Sequence, residues 1–229
     1  PITLAIPKEL MMIGDKAVIE YVIEAMKEID ISEITIVVGW RKHAILDYLG
    51  SGERLGVKIS YVVQDNRDGL AKAVGSGEHV IGDESFLVVL GDDFFYPKTF
   101  LKKILDVHKQ QDADATIGVA KVSDVTRHGI IKPGAGNKIV DIVEKPSRED
   151  APSDLGCMGV YIFKSVIFDA IKKTKPGYKN EYQLTDSIKC LVEDGYQVLY
   201  DQIDGTHIDV GTLEDYRKAN AFLAEKKRE

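Results

Sequence analysis

Two adjacent carboxylates, Asp92 and Asp93, follow directly on an apolar run in "VVLGDD" (residues 88–93). An apolar run of this kind is typical of a buried strand. Ligands of open parallel sheets lie outside the carboxyl ends of the strands, where helix N-termini direct their partial positive charge. We therefore interpret Asp92 as a candidate metal ligand and Asp93 as a bystander. The alternative is that both aspartates simply begin the next turn, where aspartate is common.

Further charged residues follow other predicted strands. Asp209 comes just before a glycine and a predicted helix that Thr212 would cap. Glu144 and Lys145 end the strand in "IVEKP", where Pro146 holds the preceding residue extended. If these strand ends converge on one edge of a sheet, the two aspartates provide the oxygen ligands that hard divalent cations prefer.

Three further residues have types suited to a nucleotide. Lys8 follows a proline and can meet a phosphate as a point charge. Gln64 carries both a hydrogen-bond donor and an acceptor. Gly69 is expected to begin a helix over residues 70–81, close to a planar ligand. Two carboxylates, two lysines, an amide and a glycine together indicate phosphoryl or nucleotidyl transfer, in which positioning and charge neutralisation do most of the work.

The elements that would position these residues alternate between helix and strand in the first half of the chain. Residues 17–29 have helical periodicity behind Asp15 as a candidate N-cap. The runs "ITIVV" and "FLVVL" are continuously apolar, as in strands covered on both faces. The second half begins with strands joined by turns, including a predicted hairpin at "PGAGNK" (residues 133–138), and helices then return.

This pattern predicts an α/β fold, with a Rossmann-like mixed, mainly parallel sheet flanked by helices, as a single domain over residues 1–229. The chain begins at Pro1 without a methionine, so we expect that an N-terminal strand and the loop after it precede this sequence.

Composition narrows the possible functions. The net charge of −7 and the dispersed Lys and Arg argue against a nucleic-acid partner. Two cysteines cannot form a disulfide framework, and neither a leader peptide nor an apolar span of membrane length is found. We therefore expect a cytoplasmic enzyme with no membrane partner.

The chain resembles the sugar-1-phosphate nucleotidyltransferases over essentially its whole length. The segments that carry the resemblance occur in the family's order, and they are "PITLAIPKEL", "YVVQDNRDGLAKAV", "VVLGDD", "IVEKP", "MGVYIF", "NEYQLTDSI" and "HIDVGT". The resemblance implies the nucleotide-diphospho-sugar transferase fold, a homo-oligomer and an EC 2.7.7 reaction. In that reaction a nucleoside triphosphate and a sugar 1-phosphate give a nucleotide sugar and pyrophosphate by in-line attack at the α-phosphorus.

The resemblance also implies residue roles. Asp92 and Asp209 correspond to the ligands of Mg²⁺, Lys8 to the lysine on the nucleotide phosphates, and Lys145 to the lysine that grips the sugar phosphate; these four form the catalytic set. The expected sugar contacts are Gly129, Glu144 and Gly159, and the expected base contacts are Gln64 and Gly69. The family's glycine-rich loop and its arginine would lie before Pro1, and only the end of that motif, "PIT", matches.

The resemblance is less specific about which nucleotide base and which sugar the protein uses. "DGLA" (residues 68–71) is similar to members that use pyrimidine nucleotides. "AIPKEL" and "NEYQLTDSI" resemble the UTP:glucose-1-phosphate branch, whereas the "QDNRDGLA" spacing resembles the thymidylyltransferase branch. UTP with glucose 1-phosphate is favoured and dTTP is the alternative. His128 and His207 replace aromatic residues common in the family, and we expect both to have packing roles.

Two other functions stay open. A GT-A glycosyltransferase also presents acidic residues at a strand end, although its motif is normally Asp-any-Asp and does not require Lys8 and Lys145. A non-catalytic nucleotide-sugar-binding regulatory protein would explain the missing loop, but both lysines and both aspartates are retained.

Overall fold

A computed structural model of the protein describes residues 6–39 and 42–228. The chain forms two compact units. The first unit comprises Pro1–Val63, Val89–Lys102 and Asp204–Glu229, and the second comprises Gln64–Val88 and Lys103–Ile203. The segment "PIT", residues 1–3, lies outside the described residues.

The helices of the described residues are α1 Val18–Lys27, α2 Lys42–Leu49, α3 Leu70–Gly75, α4 Glu78–Ile81, α5 Phe100–Gln110, α6 Val166–Lys173, α7 Leu184–Glu193 and α8 Leu213–Lys226. The strands are β1 Met12–Ile13, β2 Lys16–Ala17, β3 Glu33–Val38, β4 Lys58–Val63, β5 Phe86–Val89, β6 Asp93–Tyr96, β7 Ala115–Lys121, β8 Gly129–Pro133, β9 Ile139–Glu144, β10 Leu155–Phe163, β11 Val198–Gln202 and β12 Thr206–Asp209.

The described residues of the first unit form three strand pairs. β3 and β4 pair in parallel, as the continuous apolar run "ITIVV" predicts, while β6 and β12 pair antiparallel, as do β1 and β2. Phe94, at the centre of β6, is fully buried and packs edge-on against Tyr21 of α1, with ring centroids 5.0 Å apart. Leu223 of α8 belongs to the same core cluster. The core thus fixes the strand that begins at Asp93.

The start of α1 differs from the sequence prediction. Asp15 does not cap this helix, because the helix begins at Val18 and the Ala17 N–H donates to the Glu20 carboxylate at 2.8 Å. Asp15 lies before β2 and accepts a hydrogen bond from Lys227 at 3.1 Å instead. The prediction was wrong because β2 occupies the two residues between Asp15 and the helix.

A six-stranded sheet organises the second unit, in the order β11-β7-β10-β8-β9, with β5 also paired to β10. β11 and β7 are parallel, whereas the pairs that β10 forms with β7 and β8, and that β8 forms with β9, are antiparallel. All nine residues of β10 are buried, so this strand forms the centre of the sheet.

In the second unit the predicted hairpin is confirmed, whereas one predicted helix is divided into two. The hairpin predicted at "PGAGNK" joins β8 to β9, and the Gly134 N–H closes it by donating to the Lys138 carbonyl at 2.7 Å. The helix predicted over residues 70–81 is interrupted at Ser76 and Gly77 and becomes α3 and α4. Two glycines within twelve residues lower helix propensity enough to account for the break.

Within residues 6–39 and 42–228, we find no helix that combines the length and the apolar character needed to cross a membrane.

Candidate functional site

The backbone of the first unit brings Asp92 and Asp209 to the same end of one strand pair. In the antiparallel ladder, Asp93 at the start of β6 is the register partner of Asp209 at the end of β12. The Val210 N–H donates to the Asp92 carbonyl at 3.1 Å, which extends the ladder to Asp92. The two residues predicted to be metal ligands are therefore neighbours across the strands.

Lys8 completes this group, which we call the acidic cluster: Lys8, Asp92 and Asp209. Lys8 begins a 3₁₀ turn, and its ammonium forms an ion pair with the Asp92 carboxylate. Burial alone would lower the pKa of Lys8, but the Asp92 and Asp209 carboxylates outweigh burial and hold the pKa above its ordinary value. Lys8 is thus a permanently charged cation beside two carboxylates.

The donor chemistry of the acidic cluster fits Mg²⁺. Mg²⁺ is usually held by one or two carboxylates, with substrate phosphates and water completing the octahedron. Asp92 and Asp209 supply two such carboxylates, and the attraction of Lys8 to both shows that a positive charge is favoured there. Among the described residues no group of three or more His, Cys, Asp or Glu side chains is arranged to hold a metal ion.

Asp93 differs from the alternative interpretation of the sequence, in which it begins a turn. It is the first residue of β6, its exposure is only 3%, and its Oδ1 lies 3.0 Å from Nε2 of His207. Burial raises the pKa of Asp93 to about 6, the nearby carboxylates Asp92 and Asp209 raise it as well, and His207 opposes the rise. The turn prediction failed because β6 begins immediately after Asp92.

His207 packs as expected from the sequence. Its ring stacks on Phe95 with centroids 4.7 Å apart, and Phe95 in turn stacks on Phe100 at 4.0 Å. The ring therefore fills an aromatic column beneath the acidic cluster, and it also partners the buried Asp93 carboxylate.

A second group lies in the second unit, at the end of the β8–β9 pair, and we call it the EKP cluster: Gly129, Glu144, Lys145 and Thr185. Gly129 and Glu144 are register partners. The Thr185 hydroxyl donates to Glu144 Oε2 at 2.9 Å, and the Lys145 ammonium lies 3.2 Å from Glu144 Oε1. Glu144 thus has a partner on each carboxylate oxygen.

Position 129 has no room for a side chain, so only glycine fits there without displacing its neighbours. A Cβ at this position would lie 2.4 Å from Thr185 Cγ2 and 3.2 Å from Glu144 Oε2. The buried thiol of Cys157 would be 3.7 Å from the same Cβ, and its burial raises the pKa of that thiol well above the usual range. Any larger residue would displace the side chains that hold Glu144.

Lys145 does not have the extended backbone predicted for the residue before Pro146. Its φ is +43°, in the left-handed region, and its N–H donates to the His128 carbonyl at 3.0 Å. A residue other than glycine persists in this region only where its surroundings hold it, and such positions concentrate at functional sites.

Gly159 lies in the centre of β10 with φ of +67°. The register between β10 and β7 shifts between Cys157 and Tyr161, so Gly159 forms an irregularity in the ladder. Irregularities of this kind occur next to active sites, where they re-aim neighbouring groups. This geometry suits the backbone contact with a sugar that the sequence predicts.

The residues predicted to bind the base are adjacent. Gln64 Nε2 donates to the Gly69 carbonyl over a long 3.5 Å. Gly69 has φ of +111° and caps α3, and a Cβ there would lie only 2.4 Å from the Tyr182 carbonyl oxygen. Tyr182 holds this loop by two backbone hydrogen bonds, from its N–H to Asp68 O at 2.6 Å and from Ala71 N–H to its own carbonyl at 3.0 Å.

Sequence reasoning did not assign roles to Thr185 or Tyr182. Both lie in "NEYQLTDSI", which was used only as a family signature. A partner 41 residues away from Glu144 has no local signal, because the Thr185–Glu144 bond arises from the packing of α7 against β9.

The fold agrees with comparisons to known proteins. A family model described as nucleotidyl transferase matches residues 1–226. The low-salt glycan biosynthesis nucleotidyltransferase Agl11 of Haloferax volcanii is 34% identical over 99% of this chain, and the chain spans 63% of that relative's length.

Two further comparisons cover most of both chains. The UTP–glucose-1-phosphate uridylyltransferase of Mycoplasma genitalium is 33% identical over 98% of this chain and 86% of its own. A crystal structure of UDP-glucose pyrophosphorylase complexed with UDP-glucose superposes with a TM-score of 0.91 at 32% identity, covering 99% of this chain and 93% of that one. The chain belongs to the nucleotidyl transferase family, and both the predicted resemblance and the mixed α/β fold are confirmed.

Proposed function

We propose that the protein transfers the uridylyl group of UTP to glucose 1-phosphate and releases pyrophosphate. The observation that carries the proposal is the acidic cluster, in which Lys8 is paired with Asp92 beside Asp209. A cation-selective pair of carboxylates next to a charged lysine suits a metal-bound triphosphate. The uridylyltransferase and the UDP-glucose complex among its relatives support this choice of substrates.

The reaction requires no covalent intermediate. A phosphate oxygen of glucose 1-phosphate forms a bond to the α-phosphorus of UTP, and the bond from that phosphorus to the bridging oxygen of pyrophosphate breaks. Asp92 and Asp209 would hold Mg²⁺, which when bound would neutralise charge on the phosphate oxygens. Lys8 exchanges its contact with Asp92 for the nucleotide phosphates.

The EKP cluster holds the sugar phosphate in this scheme. The Lys145 ammonium neutralises one phosphate charge, while Glu144, fixed by Thr185 at 2.9 Å, accepts a sugar hydroxyl. The glucose 1-phosphate dianion and the polyanionic triphosphate repel one another in solution, so neutralisation on both substrates is a large part of the rate enhancement. Gln64 and Gly69 present an amide and backbone groups to the pyrimidine.

The test is pyrophosphate release by the full natural chain with Mg²⁺ and glucose 1-phosphate, using UTP and dTTP in parallel. Faster release with UTP supports the proposal as stated. Faster release with dTTP would mean that the nucleotide substrate is dTTP and not UTP. If nucleotide binds but neither mixture releases pyrophosphate, with other hexose 1-phosphates also inactive, the regulatory alternative is favoured. Transfer of glucose from UDP-glucose to an acceptor would indicate the glycosyltransferase alternative.

A variant pair tests the assignment of the sugar phosphate. Lys145→Met should raise the KM for glucose 1-phosphate by about ten- to a hundredfold, since hydrogen bonds to charged groups contribute about 1.5–3 kcal/mol. The KM for UTP should change little. Lys132→Met is the matched control, because Lys132 is an exposed lysine on the neighbouring strand β8. A larger effect on UTP than on sugar phosphate would reverse the roles assigned to Lys145 and Lys8.

A further inference from the structure

The ammonium of Lys145 has a second neighbour besides Glu144. It lies over the aromatic ring of Tyr178, 5.3 Å from the ring centroid. A lysine within about 6 Å of a ring centroid is attracted by the negative face of the ring. Lys145 therefore stands between a carboxylate and an aromatic face.

Tyr178 is held in place although it does not belong to the core. Its exposure is 41%, and it begins the 3₁₀ turn Tyr178–Asn180. The Gly177 N–H donates to the Glu181 carbonyl at 2.9 Å, and the buried Gln183 amide donates to the Tyr178 carbonyl at 3.1 Å. These bonds fasten the loop on both sides of an exposed ring.

The same loop contains backbone strain. Lys179 and Asn180 both have left-handed φ angles, +55° and +59°. Conformations of this kind are unfavourable for residues other than glycine and persist where the surroundings impose them. Gly177 is confined as well, because a Cβ there would lie 2.4 Å from Oδ2 of Asp186. Both partners of the Lys145–Tyr178 contact therefore lie in or beside backbone with left-handed φ angles, and the φ of Lys145 is +43°.

We propose that Tyr178 is a positioning residue that holds the Lys145 ammonium ready for the sugar phosphate, an inference that rests on the proposed function of Lys145. A ring face attracts the ammonium without accepting its N–H groups as a carboxylate does, so those donors remain for phosphate oxygens. Without the ring, Glu144 alone orients the ammonium, and the ion pair at 3.2 Å competes with the substrate.

The proposal predicts a specific pattern of kinetic constants. Tyr178→Leu should raise the KM for glucose 1-phosphate about two- to tenfold, the range that corresponds to a cation–π contact. The KM for UTP should stay within twofold of the wild-type value. Tyr178→Phe keeps the ring and should restore the wild-type KM, whereas a role for the hydroxyl group would make Phe as poor as Leu.

A double-mutant cycle separates positioning from mere support of the loop. In a Lys145→Met background, Tyr178→Leu should have no further effect on the KM for glucose 1-phosphate, because the ring then has no ammonium to position. Additive effects of the two substitutions would overturn the proposal. Tyr196→Leu is the matched control, since Tyr196 also lies in the second unit and is 41% exposed.

The measurements also separate this inference from the proposed function. If Lys145→Met leaves the KM for glucose 1-phosphate unchanged, the assignment of Lys145 itself fails. If Lys145→Met raises that KM and Tyr178→Leu does not, only the positioning role of Tyr178 is overturned. Thermal unfolding of each variant shows that it is folded, and the Tyr178→Phe variant keeps the test decisive if the Leu variant loses its loop structure.

Discussion

The ammonium of Lys8 is paired with the carboxylate of Asp92, one residue before the strand whose register joins Asp93 to Asp209. The pair is partly buried, with 14% of the Asp92 side chain exposed. Lys8 therefore offsets one of the two carboxylate charges of the acidic cluster. Under the proposed function, Asp92 would hold the metal and Lys8 the triphosphate oxygens, so both residues would give up their mutual contact when the nucleotide binds.

Removal of the Lys8 charge should affect the nucleotide selectively. Lys8→Met is expected to raise the KM for UTP about ten- to a hundredfold, since a hydrogen bond to a charged group contributes about 1.5–3 kcal/mol. The KM for glucose 1-phosphate should change less than threefold. Lys58→Met is the control, because Lys58 forms an exposed ion pair with Glu33. Equal increases in both KM values would contradict the assignment.

Asp209→Asn should lower kcat by more than tenfold without destabilising the fold. Asn keeps the size of the side chain but removes one of the two negative charges that attract the metal. The free energy of unfolding, measured by urea denaturation, should remain near that of the wild type. Exposed Asp83→Asn provides the control for a change of net charge. Activity above one tenth of normal at saturating Mg²⁺ would remove Asp209 from the metal site.

Gly69→Ala should reduce both stability and affinity for nucleotide. A φ of +111° suits glycine alone, and the new Cβ would overlap the Tyr182 backbone. We expect a loss of roughly 1–3 kcal/mol or more in the free energy of unfolding. Gly195→Ala isolates the conformational part of the cost, because Gly195 also has positive φ but open space around it. Equal losses for the two variants would show that the Tyr182 contact contributes nothing.

The stability of the protein should fall on the acid side partly through His108. His108 is buried, and its Nδ1 lies 2.9 Å from the Thr116 hydroxyl. Burial lowers the pKa of His108, and Lys164 lowers it further, although Asp112 and Asp114 oppose the shift. The folded state therefore binds fewer protons than the unfolded state below about pH 6.5, the ordinary histidine pKa.

The stability that neutral His108 contributes decreases as the pH falls. The contribution of neutral His108 is fully present above about pH 6.5 and is lost as the pH falls toward its lower folded pKa. Urea denaturation of wild type and His108→Gln at pH 7 and pH 5 measures it. The wild type should lose more stability between these pH values than the variant. An equal loss in both proteins would mean that His108 does not titrate differently on unfolding.

The sequence predicted the elements better than it predicted their partners. "ITIVV" is apolar throughout because β3 pairs in parallel with β4, and Thr212 caps α8 by accepting from the Asp215 N–H at 3.1 Å. Such signals are local, since they depend on periodicity and on residues within one turn. The strand β6 was missed because its four residues follow β5 after only three intervening positions.

Candidate site residues were predictable where their position beside a predicted strand marked them. Glu144 was predicted as a site residue because it ends β9, and Asp92 because it follows the apolar run of β5. The ion pair between Lys8 and Asp92 joins residues 84 positions apart in the sequence. The cation–π contact between Lys145 and Tyr178 depends on a loop whose left-handed backbone no residue propensity indicates. Contacts between distant segments follow from tertiary packing, which one sequence does not specify residue by residue.

The most direct measurement of the central claim follows the oxygen that links the two phosphorus atoms of the product. Glucose 1-phosphate labelled with ¹⁸O in its non-bridging phosphate oxygens is incubated with UTP, Mg²⁺ and the full natural chain, and the UDP-glucose is analysed by ³¹P NMR. We predict ¹⁸O in the bridge between the two phosphorus atoms, because the sugar phosphate attacks the α-phosphorus. Unlabelled bridges, or UTP consumption with no nucleotide sugar formed, would contradict nucleotidyl transfer.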